Sequence, residues 1–359
     1  MPTVLLTGIS GFLAAHVALN FLEHGWTVRG TLRSPSKKDE ILAVPEYKPY
    51  VESGKLHLFV TGSLENGDYT EAIKGVDAVV HTASPVEFGD AEYRESHLAP
   101  ALQGTTSVLE AAAKDPSVKA VVVTGTYGSI GKHTEHPHTQ KGLVLDEKDW
   151  NPYTLEDMDK LVENGGKSDN PVFPPGVLFY MSSKKEAELA AWKTQEEAKK
   201  NGGHDWSLAV INCVMIFGPP IQPLKSLSQG GMSTEVLYAL AKGKDVPIAP
   251  TLFTHYVDVR DAAEAHYQAV VRNAQGRFIT SAGPYDYQEF ADIARGQFPE
   301  QADRFSTGNP GKYAYIDPGT YTLKNDKIKK EFGIQFRPKE DTVKDAFTKF
   351  FELEKKGLN

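Results

Sequence analysis

A tyrosine and a lysine lie four residues apart in the stretch LFYMSSKKEAE, as Tyr180 and Lys184. Residues at this spacing share one face of a helix, and the stretch predicts that a helix begins near Tyr180. A free phenol has a pKa of about 10, which is high for proton transfer at neutral pH. An ammonium about 5 Å away, at an effective dielectric of roughly 20, would favour the phenolate by about 3 kcal/mol, or roughly two pK units. The pair predicts acid–base chemistry at Tyr180; the alternative is an ordinary aromatic residue packed against the core.

A hydroxyl group for the same site is expected where the strand VKAVVVTGT ends, at residues 118–126. In open parallel sheets the carboxyl ends of the strands face the cleft that binds ligands. Thr124, Thr126 and Ser129 are the candidates near that end. We predict that Thr126 bonds the carbonyl oxygen of a substrate beside Tyr180.

The elements that would position these groups follow from the pattern of apolar runs. Short runs rich in Val and Leu alternate with amphipathic segments, which predicts a parallel sheet covered by helices on both faces. The fold class is therefore α/β, a Rossmann-type doubly wound parallel sheet with a smaller C-terminal substrate-binding lobe. The predicted strands are 3–8, 26–32, 55–60, 77–84, 118–126 and 206–212. The predicted helices are 11–24, 95–114, 180–200, 285–298 and 338–355.

Two lobes are predicted. Residues 1–220 form the nucleotide-binding domain, and residues 221–359 form mainly the substrate-binding lobe. The segment HYVDVRDAAEAHYQAV predicts a strand–helix unit packing on the main sheet, so that about 250–272 contributes to the first domain. Between 130 and 176 the chain is rich in Gly, Pro, His and charge, which predicts loops and short turns.

A glycine-rich turn follows the first strand in LLTGISGFLAAHV. Gly8 ends the strand, Gly11 opens the helix, and Ala14 lies one turn further. A Cβ in such a turn would block tight backbone geometry and the close approach of a pyrophosphate. The helix N-terminus offers N–H groups and the positive end of a dipole to phosphates. In this context the pattern predicts a dinucleotide site, and the alternative is an ordinary strand–helix turn.

The end of the second strand indicates which dinucleotide is bound. A site for NAD would carry Asp or Glu there to bond the ribose 2′-hydroxyl. The chain instead reads GTLRSPSKKDE, with Arg33 at the strand end, Lys37 four residues later, and no acidic residue before Asp39. A guanidinium matches a phosphate bidentately, and a lysine adds a point charge. This favours NADP(H), with the 2′-phosphate held by Arg33 and Lys37; the alternative is that both are solvated loop charges.

Composition narrows the class of protein. The chain has 359 residues, 40% of them hydrophobic and 24% charged, with a formal net charge of −8, so a packed core is expected and a basic nucleic-acid footprint is not. Its one cysteine, Cys213, excludes an intrachain disulfide and favours a reducing compartment. The N-terminus has no basic region typical of a signal peptide, and no apolar run approaches the roughly 20 residues that span a membrane. We expect a cytoplasmic protein without membrane or nucleic-acid partners.

Two further groups of residues invite a functional interpretation. His133, His136 and His138 lie close together with Glu135, but their spacing lacks the order of known metal sites, so a polar loop and no metal are expected. Phe88 and Tyr127 are predicted to wall an apolar substrate pocket. The aromatic residues Phe173 and Phe179 are further candidates for that wall.

The motifs TGISGF, VVHTASP, VVVTGTYGS, YMSSK and HYVDVRDAAEAH occur in the order found in extended short-chain dehydrogenases/reductases. Over about residues 3–300 the chain resembles the dihydroflavonol-4-reductase-like branch of that family, especially fungal aldehyde, ketone and methylglyoxal reductases. The resemblance implies NADPH-dependent carbonyl reduction, with a hydride from nicotinamide C4 and a proton from the tyrosine. It also implies that Lys184 holds the nicotinamide ribose.

The resemblance assigns residues to the cofactor by position, and three of them depart from the family pattern. Thr126 replaces the usual Ser, FVTGSLE lacks the usual Asp for the adenine amine, and Cys213 replaces a proline near the nicotinamide. A buried filler is the expected role of Cys213. The predicted cofactor-binding residues are Gly8, Gly11, Phe12, Leu13, Arg33, Lys37, Ser63, Leu64, Thr82, Ala83, Ser84, Thr124, Tyr180, Lys184, Cys213 and Val214.

The main hypothesis is a carbonyl reductase that uses NADPH, acts on a small-molecule aldehyde or ketone, and exists as a monomer or homodimer. Its catalytic residues would be Thr126, Tyr180 and Lys184. One rival is a nucleotide-sugar epimerase or dehydratase, which usually retains NAD. The other is a non-catalytic NADP-binding redox sensor, a type of protein that tends to lose the Tyr–Lys pair.

Overall fold

The structure is a computed structural model, and it describes residues 1–84, 92–167, 172–316 and 319–358. The strands are β1 Thr3–Thr7, β2 Thr27–Leu32, β3 Leu56–Val60, β4 Ala78–His81, β5 Ala120–Thr126, β6 Val144–Leu145, β7 Ser207–Cys213, β8 Met215–Phe217, β9 His255–Asp258, β10 Gly276–Thr280, β11 Gly283–Pro284 and β12 Thr322–Leu323. The α-helices are α1 Phe12–Glu23, α2 Lys38–Leu42, α3 Lys48–Glu52, α4 Thr70–Ile73, α5 Ala99–Lys114, α6 Leu155–Glu163, α7 Pro175–Lys200, α8 Met232–Ala239, α9 Val259–Val271, α10 Tyr287–Gln297, α11 Asp326–Phe332 and α12 Lys339–Lys355. A π-helical turn, Tyr93–Leu98, leads into α5, and short 3₁₀ turns connect several of these elements.

Seven strands form the central sheet, in the order β10-β7-β5-β4-β1-β2-β3, and every neighbouring pair is parallel. Helices cover both faces, with α1 and α9 packed together on one face and α5 and α7 on the other. Alternate residues of the strands enter two separate apolar clusters, so that Val122 faces α1 and α9 while Val123 faces the other layer. This architecture confirms the predicted Rossmann-type α/β fold.

The predicted strand–helix unit at 255–270 is divided between two parts of the molecule. Its helix, α9, packs on the main sheet against α1, as expected. Its strand, β9, does not join that sheet but pairs with β8 and β11 in a small three-stranded sheet. The seventh strand of the main sheet is instead β10, which adds to the edge beside β7. Because a four-residue buried strand fits either sheet, tertiary packing decided the pairing.

The segment 130–176 contains more regular structure than the sequence predicts. It includes α6, whose first turn is closed by a capping box between Thr154 and Asp157. It also includes β6, which pairs with β12 from the C-terminal lobe. The helix that carries Tyr180 begins earlier than predicted, at Pro175, where proline is favourable because the first helical N–H has no partner within the helix.

The C-terminal lobe has its own apolar core, built from α8, α10, α12 and the strands β8 and β9. Aromatic rings dominate it: Phe217, Tyr285 and Phe290 pack against one another with centroids 4.8–5.4 Å apart. This packing supports the small sheet that leads into the cleft. None of the helices in the described ranges has the length and apolar character needed to cross a membrane.

Candidate active site

Two cavities open at the carboxyl ends of the central strands, and neighbouring residues at the start of α1 line them: Gly11 lines one and Phe12 the other. The first cavity measures about 470 Å³ and lies over the ends of β1, β2, β3 and β4. It contains nine of the predicted cofactor-binding residues: Gly8, Gly11, Arg33, Lys37, Ser63, Leu64, Thr82, Ala83 and Ser84.

The glycine turn at the base of this cavity leaves no room for a side chain. Gly8 has φ +70°, and a Cβ at this position would lie 2.9 Å from the Cβ of Ala83. Gly11 is the N-cap residue of α1, and its N–H donates to the Gly8 carbonyl at 2.9 Å. Because Gly11 has no side chain to cap the helix, the first-turn N–H groups of α1 face the cavity without a side-chain cap from that residue. A close cradle of this kind suits a pyrophosphate.

Hydrogen bonds join the ends of β1 and β4 beneath the cavity. The Thr7 hydroxyl lies 2.8 Å from His81 Nδ1 and accepts the Ala83 N–H at 3.2 Å. The Thr82 hydroxyl donates to the Thr7 carbonyl at 2.5 Å. These bonds fix the backbone at Ala83 against Gly8, and they commit the Thr82 hydroxyl to the protein.

Two cations stand at the rim of the cavity. Arg33 follows the end of β2, and Lys37 ends the 3₁₀ turn Pro35–Lys37. Both side chains are exposed, and both line the cavity. A guanidinium and an ammonium that line one cavity suit a phosphate monoester on a ribose.

The second cavity measures about 370 Å³ and extends from the end of β5 into the C-terminal lobe. Tyr180 and Thr126 both line it, as do Phe12, Leu13, Cys213 and Val214 from the predicted cofactor set. The Thr126 hydroxyl accepts the N–H of Gly128 at 3.1 Å. That bond orients the hydroxyl oxygen, so its own proton can be donated to a ligand.

Lys184 lies behind the cavity. Its side chain is 9% exposed, and its Nζ donates to the carbonyl oxygen of Thr124 at 3.2 Å. The Thr124 hydroxyl pairs at 2.8 Å with Nε2 of His266, whose Nδ1 bonds the Ala262 carbonyl. The structure therefore directs the Thr124 hydroxyl toward α9, and of the predicted cofactor residues Thr124 and Lys184 do not line either cavity.

The expected lowering of the Tyr180 pKa is wrong for this structure. Desolvation in the surrounding protein raises the pKa of Tyr180 to about 12, and the neighbouring Cys213 acts in the same direction. Burial also lowers the pKa of Lys184 to about 8, opposed by the charge of Glu188. The Lys184 amine bonds the backbone carbonyl oxygen of Thr124. With its pKa raised, Tyr180 is a protonated phenol at neutral pH, the form that can donate a proton.

Cys213 lies at the end of β7, buried beside Tyr180 and Lys184. Burial raises the pKa of its thiol to about 12. The thiol is therefore neutral, and a thiolate is the nucleophilic form of cysteine. Its environment agrees with the predicted role as a filler.

Aromatic rings and methionines form the walls of the second cavity. Tyr127 stacks on Tyr321 with centroids 5.2 Å apart, and His255 stacks on the same ring at 4.8 Å. Burial lowers the pKa of His255 to about 3, so this histidine is neutral. The remaining wall is largely apolar and includes Met181, Met215, Ile216, Met232 and Phe253.

Of the other residues considered from the sequence, Phe173 and Phe179 do not line this cavity. Phe88 is outside the described residues. Phe173 and Phe179 belong to a cluster beneath α6 and α7. His136 and His138 stack on each other, while His133 packs against Tyr127. Within the described ranges, no three His, Cys, Asp or Glu side chains are arranged to hold a metal ion.

Sequence reasoning missed most of the C-terminal contribution to the cavities. Tyr321 and Met232 come from short segments without periodicity. His255 lies in the quoted HYVDVRD motif, but nothing in that motif marks it as a cavity residue. In the nucleotide cavity, Ser10 could have been found because it lies inside the glycine turn. The other missed residues of that cavity are Thr31, Leu32, Ser34, Thr61, Gly62, Glu65 and Tyr69.

Comparison with known proteins identifies the class. The model of the NAD dependent epimerase/dehydratase family matches residues 4–156. The ketoreductase azaE of Aspergillus niger is 33% identical, covering 97% of each chain. The NADPH-dependent methylglyoxal reductase GRE2 of Saccharomyces cerevisiae is 28% identical, covering 98% of this chain and 99% of the relative. The crystal structure of yeast methylglyoxal/isovaleraldehyde reductase Gre2 complexed with NADPH has a TM-score of 0.83 and 27% identity, covering 98% of this chain and 99% of that chain.

The chain belongs to the extended short-chain dehydrogenase/reductase family, because it matches ketoreductase azaE at 33% identity over nearly its whole length. Within that family its relatives include fungal methylglyoxal and aldehyde reductases. The family resemblance drawn from the sequence motifs is thereby confirmed.

Proposed function

We propose that this protein is an NADPH-dependent carbonyl reductase that converts aldehydes or ketones to alcohols. One observation carries the proposal: Tyr180 and Thr126 line a single apolar cavity next to the one that contains Arg33 and Lys37, with Phe12 lining the first and its neighbour Gly11 the second. The names of the relatives support the same activity and the same cofactor.

The residues of the first cavity fit NADPH. The close contact between Gly8 and Ala83 leaves a cradle that a Cβ would fill, and Arg33 with Lys37 would hold the 2′-phosphate. Bound in this way, NADPH supplies the hydride. Phe12, Leu13 and Val214 line the second cavity beside Tyr180, so they would contact the reactive end of the cofactor and exclude water from it.

Three side chains share the remaining chemistry. Thr126 donates a hydrogen bond to the carbonyl oxygen of the substrate and so polarises the carbon toward hydride attack. Tyr180 gives its phenolic proton to the developing alkoxide, for which a phenol protonated at neutral pH is suited. Lys184 supports Tyr180 from behind the cavity, where its amine bonds the Thr124 carbonyl oxygen. This assignment is supported by the positions of the three residues around the end of β5.

The walls of the second cavity favour apolar substrates. Methionine side chains adapt to different ligand shapes, and the stacked rings of Tyr127, Tyr321 and His255 offer a flat polarizable surface. We therefore propose aromatic or otherwise hydrophobic carbonyl compounds as substrates. Residues 1–220 with the helix of 250–272 would bind the cofactor, and residues 221–359 would mainly bind substrate. A cytoplasmic monomer or homodimer completes the proposal.

The test is a panel of carbonyl substrates measured with NADPH and NADH side by side. Oxidation of NADPH with aromatic aldehydes, ketones and keto esters, and slower oxidation of NADH, is the expected result. A UDP-sugar included in the panel tests the epimerase alternative, against which the basic end of β2 argues. Tight NADP binding without turnover of any carbonyl compound would support the redox-sensor alternative and overturn the proposal.

A further inference from the structure

A buried ion pair lies behind the proposed catalytic residues. Glu188 Oε1 is 2.6 Å from Arg277 Nε, and the two side chains are only 2% and 8% exposed, respectively. Glu188 lies on α7, one helical turn beyond Lys184, whereas Arg277 lies on the edge strand β10. Removing two charges from water is costly unless each is paired and hydrogen-bonded, so a pair at this depth fixes the elements that carry it.

The pair also contacts the strand end that carries Thr126. Asn212 Nδ2 donates to Glu188 Oε2 at 3.0 Å and to the Thr126 carbonyl oxygen at 3.3 Å. Gly125 makes this approach possible, because a Cβ there would lie 2.6 Å from the same Asn212 nitrogen. One amide thus connects the carboxylate of α7 to the backbone of the proposed carbonyl-polarising residue.

Arg277 also binds the segment 147–150. It donates to the carbonyl oxygens of Glu147 at 2.9 Å and Asp149 at 2.5 Å, and its guanidinium lies 3.7 Å from the ring centroid of Trp150. A weaker contact reaches the Ser129 carbonyl at 3.5 Å. The ion pair therefore joins α7, the end of β5 and residues 147–150 at one point.

The charge of Glu188 also acts on Lys184. Burial lowers the pKa of Lys184, and the carboxylate of Glu188 opposes that lowering, with a smaller contribution in the same direction from Cys213 on β7. His81 on β4 interacts electrostatically with Lys184 and is neutral, because burial lowers its pKa to about 3. His266 on α9, which bonds the Thr124 hydroxyl, is neutral for the same reason, with a pKa of about 4.

Tyr180 also lies on α7, one turn before Lys184, and its phenol is uncharged at neutral pH. Arg277 contributes its positive charge on the far side of the Glu188 carboxylate. Among these neighbouring groups, Glu188 is the one whose negative charge favours the ammonium form of Lys184.

We propose that Glu188, paired with Arg277, is a positioning residue for the reductase reaction: it holds α7 against β5 through Asn212 and places a negative charge one helical turn from Lys184. The inference rests on the function proposed above, because it assumes that Lys184 supports Tyr180 during turnover. Glu188 itself contacts neither cavity.

The experiment measures kcat/KM for a carbonyl substrate against pH at saturating NADPH. The wild-type profile is expected to fall on the alkaline side as Lys184 loses its proton. In Glu188→Gln the amide keeps the shape and an acceptor oxygen but not the charge. The pH at which kcat/KM falls on the alkaline side should therefore decrease by about one unit. Glu197→Gln removes the same charge from the same helix at an exposed position and should leave the limb in place.

Loss of one partner of a buried ion pair can prevent folding, so the experiment also includes a double variant in which both partners are replaced. Glu188→Met with Arg277→Met replaces both charges by apolar side chains of similar length, a change that buried pairs tolerate better than loss of one partner. It should show a smaller downward shift than Glu188→Gln, because the opposing positive charge of Arg277 is removed together with the carboxylate. Arg277→Met alone retains the carboxylate and should melt at a lower temperature without moving the alkaline limb downward.

A wild-type profile without an alkaline limb, or variants that lose activity equally at every pH, would overturn the positioning role while leaving the reductase function intact. An inactive wild-type protein in the carbonyl panel, or full activity in Tyr180→Phe, would instead overturn the proposed function. The two failures are therefore distinguishable.

Discussion

The Nζ of Lys184 donates to the carbonyl oxygen of Thr124 at 3.2 Å, which ties helix α7 to strand β5 just before that strand ends. Two residues later on the strand is Thr126, and one turn earlier on the helix is Tyr180; both line the same cavity. The bond therefore sets the spacing between the proposed proton donor and the proposed hydrogen-bond donor. It also directs the amine at a backbone oxygen.

Replacing Tyr180 with Phe should reduce kcat by about 100-fold or more, because the substrate oxygen loses its proton donor while the ring still packs. The dissociation constant for NADPH should stay within about threefold of wild type, since the phosphates and adenine would lie in the other cavity. Steady-state kinetics and a fluorescence titration measure the two quantities. Tyr267→Phe on α9 is the control, and turnover equal to wild type in Tyr180→Phe would exclude the assigned role.

Replacing Arg33 with Ala should weaken NADPH binding by roughly 10- to 100-fold, because charge-assisted hydrogen bonds to the 2′-phosphate are lost. Binding of NADH, which lacks that phosphate, should change little. Lys38→Ala removes an exposed charge one residue beyond Lys37 and serves as the control. An equal loss of affinity for NADPH and NADH would show that Arg33 does not bind the 2′-phosphate.

Replacing Gly8 with Ala should impair cofactor binding more than its backbone strain alone explains. Gly8 and Gly25 both have positive φ, +70° and +81°, so alanine costs about 1 kcal/mol at either position. At Gly8 the new Cβ would also lie 2.9 Å from the Ala83 Cβ, whereas at Gly25 no atom lies within 4 Å. Thermal melts should drop for both variants, and NADPH affinity should fall at least about tenfold only for Gly8→Ala. Similar affinities for NADPH in Gly8→Ala and Gly25→Ala would contradict the proposal that the cofactor lies against Gly8.

Stability should decrease as the pH falls below about 6.5, because several histidines are buried in neutral form. Their folded pKa values lie below that of an unfolded histidine, so between these values the unfolded chain binds more protons and gains stability relative to the native state. The contribution is complete above the unfolded pKa, and each histidine loses about 1.4 kcal/mol per pH unit well below it. The folded pKa is about 3 for His81, His133 and His255, and about 4 for His16 and His266.

Urea midpoints at pH 7.5 and 5.5 test this dependence. His16 Nε2 lies 2.8 Å from the Pro219 carbonyl oxygen, a bond that a glutamine amide can reproduce without titrating. The loss of stability between the two pH values should therefore be smaller in His16→Gln than in wild type. His57 is exposed on β3, so His57→Gln should follow the wild-type curve. A wild-type midpoint that does not change with pH would refute the argument.

Features encoded locally were predictable from the sequence. The run of strands and helices, the glycine turn at Gly8 and Gly11, and the basic end of β2 each depend on a few consecutive residues. The spacing of Tyr180 and Lys184 depends only on helical periodicity. These patterns were sufficient to predict the Rossmann-type sheet and the order of its first six strands along the chain.

Other features required the tertiary structure because they depend on residues far apart in sequence. Burial raises the pKa of Tyr180, whereas the i,i+4 spacing alone suggested the opposite. Tyr321, which directly precedes β12, joins the wall of the second cavity, and β10 rather than β9 completes the main sheet. Local periodicity specifies which faces are apolar, but only packing of the whole chain determines which groups lose water and which charges meet.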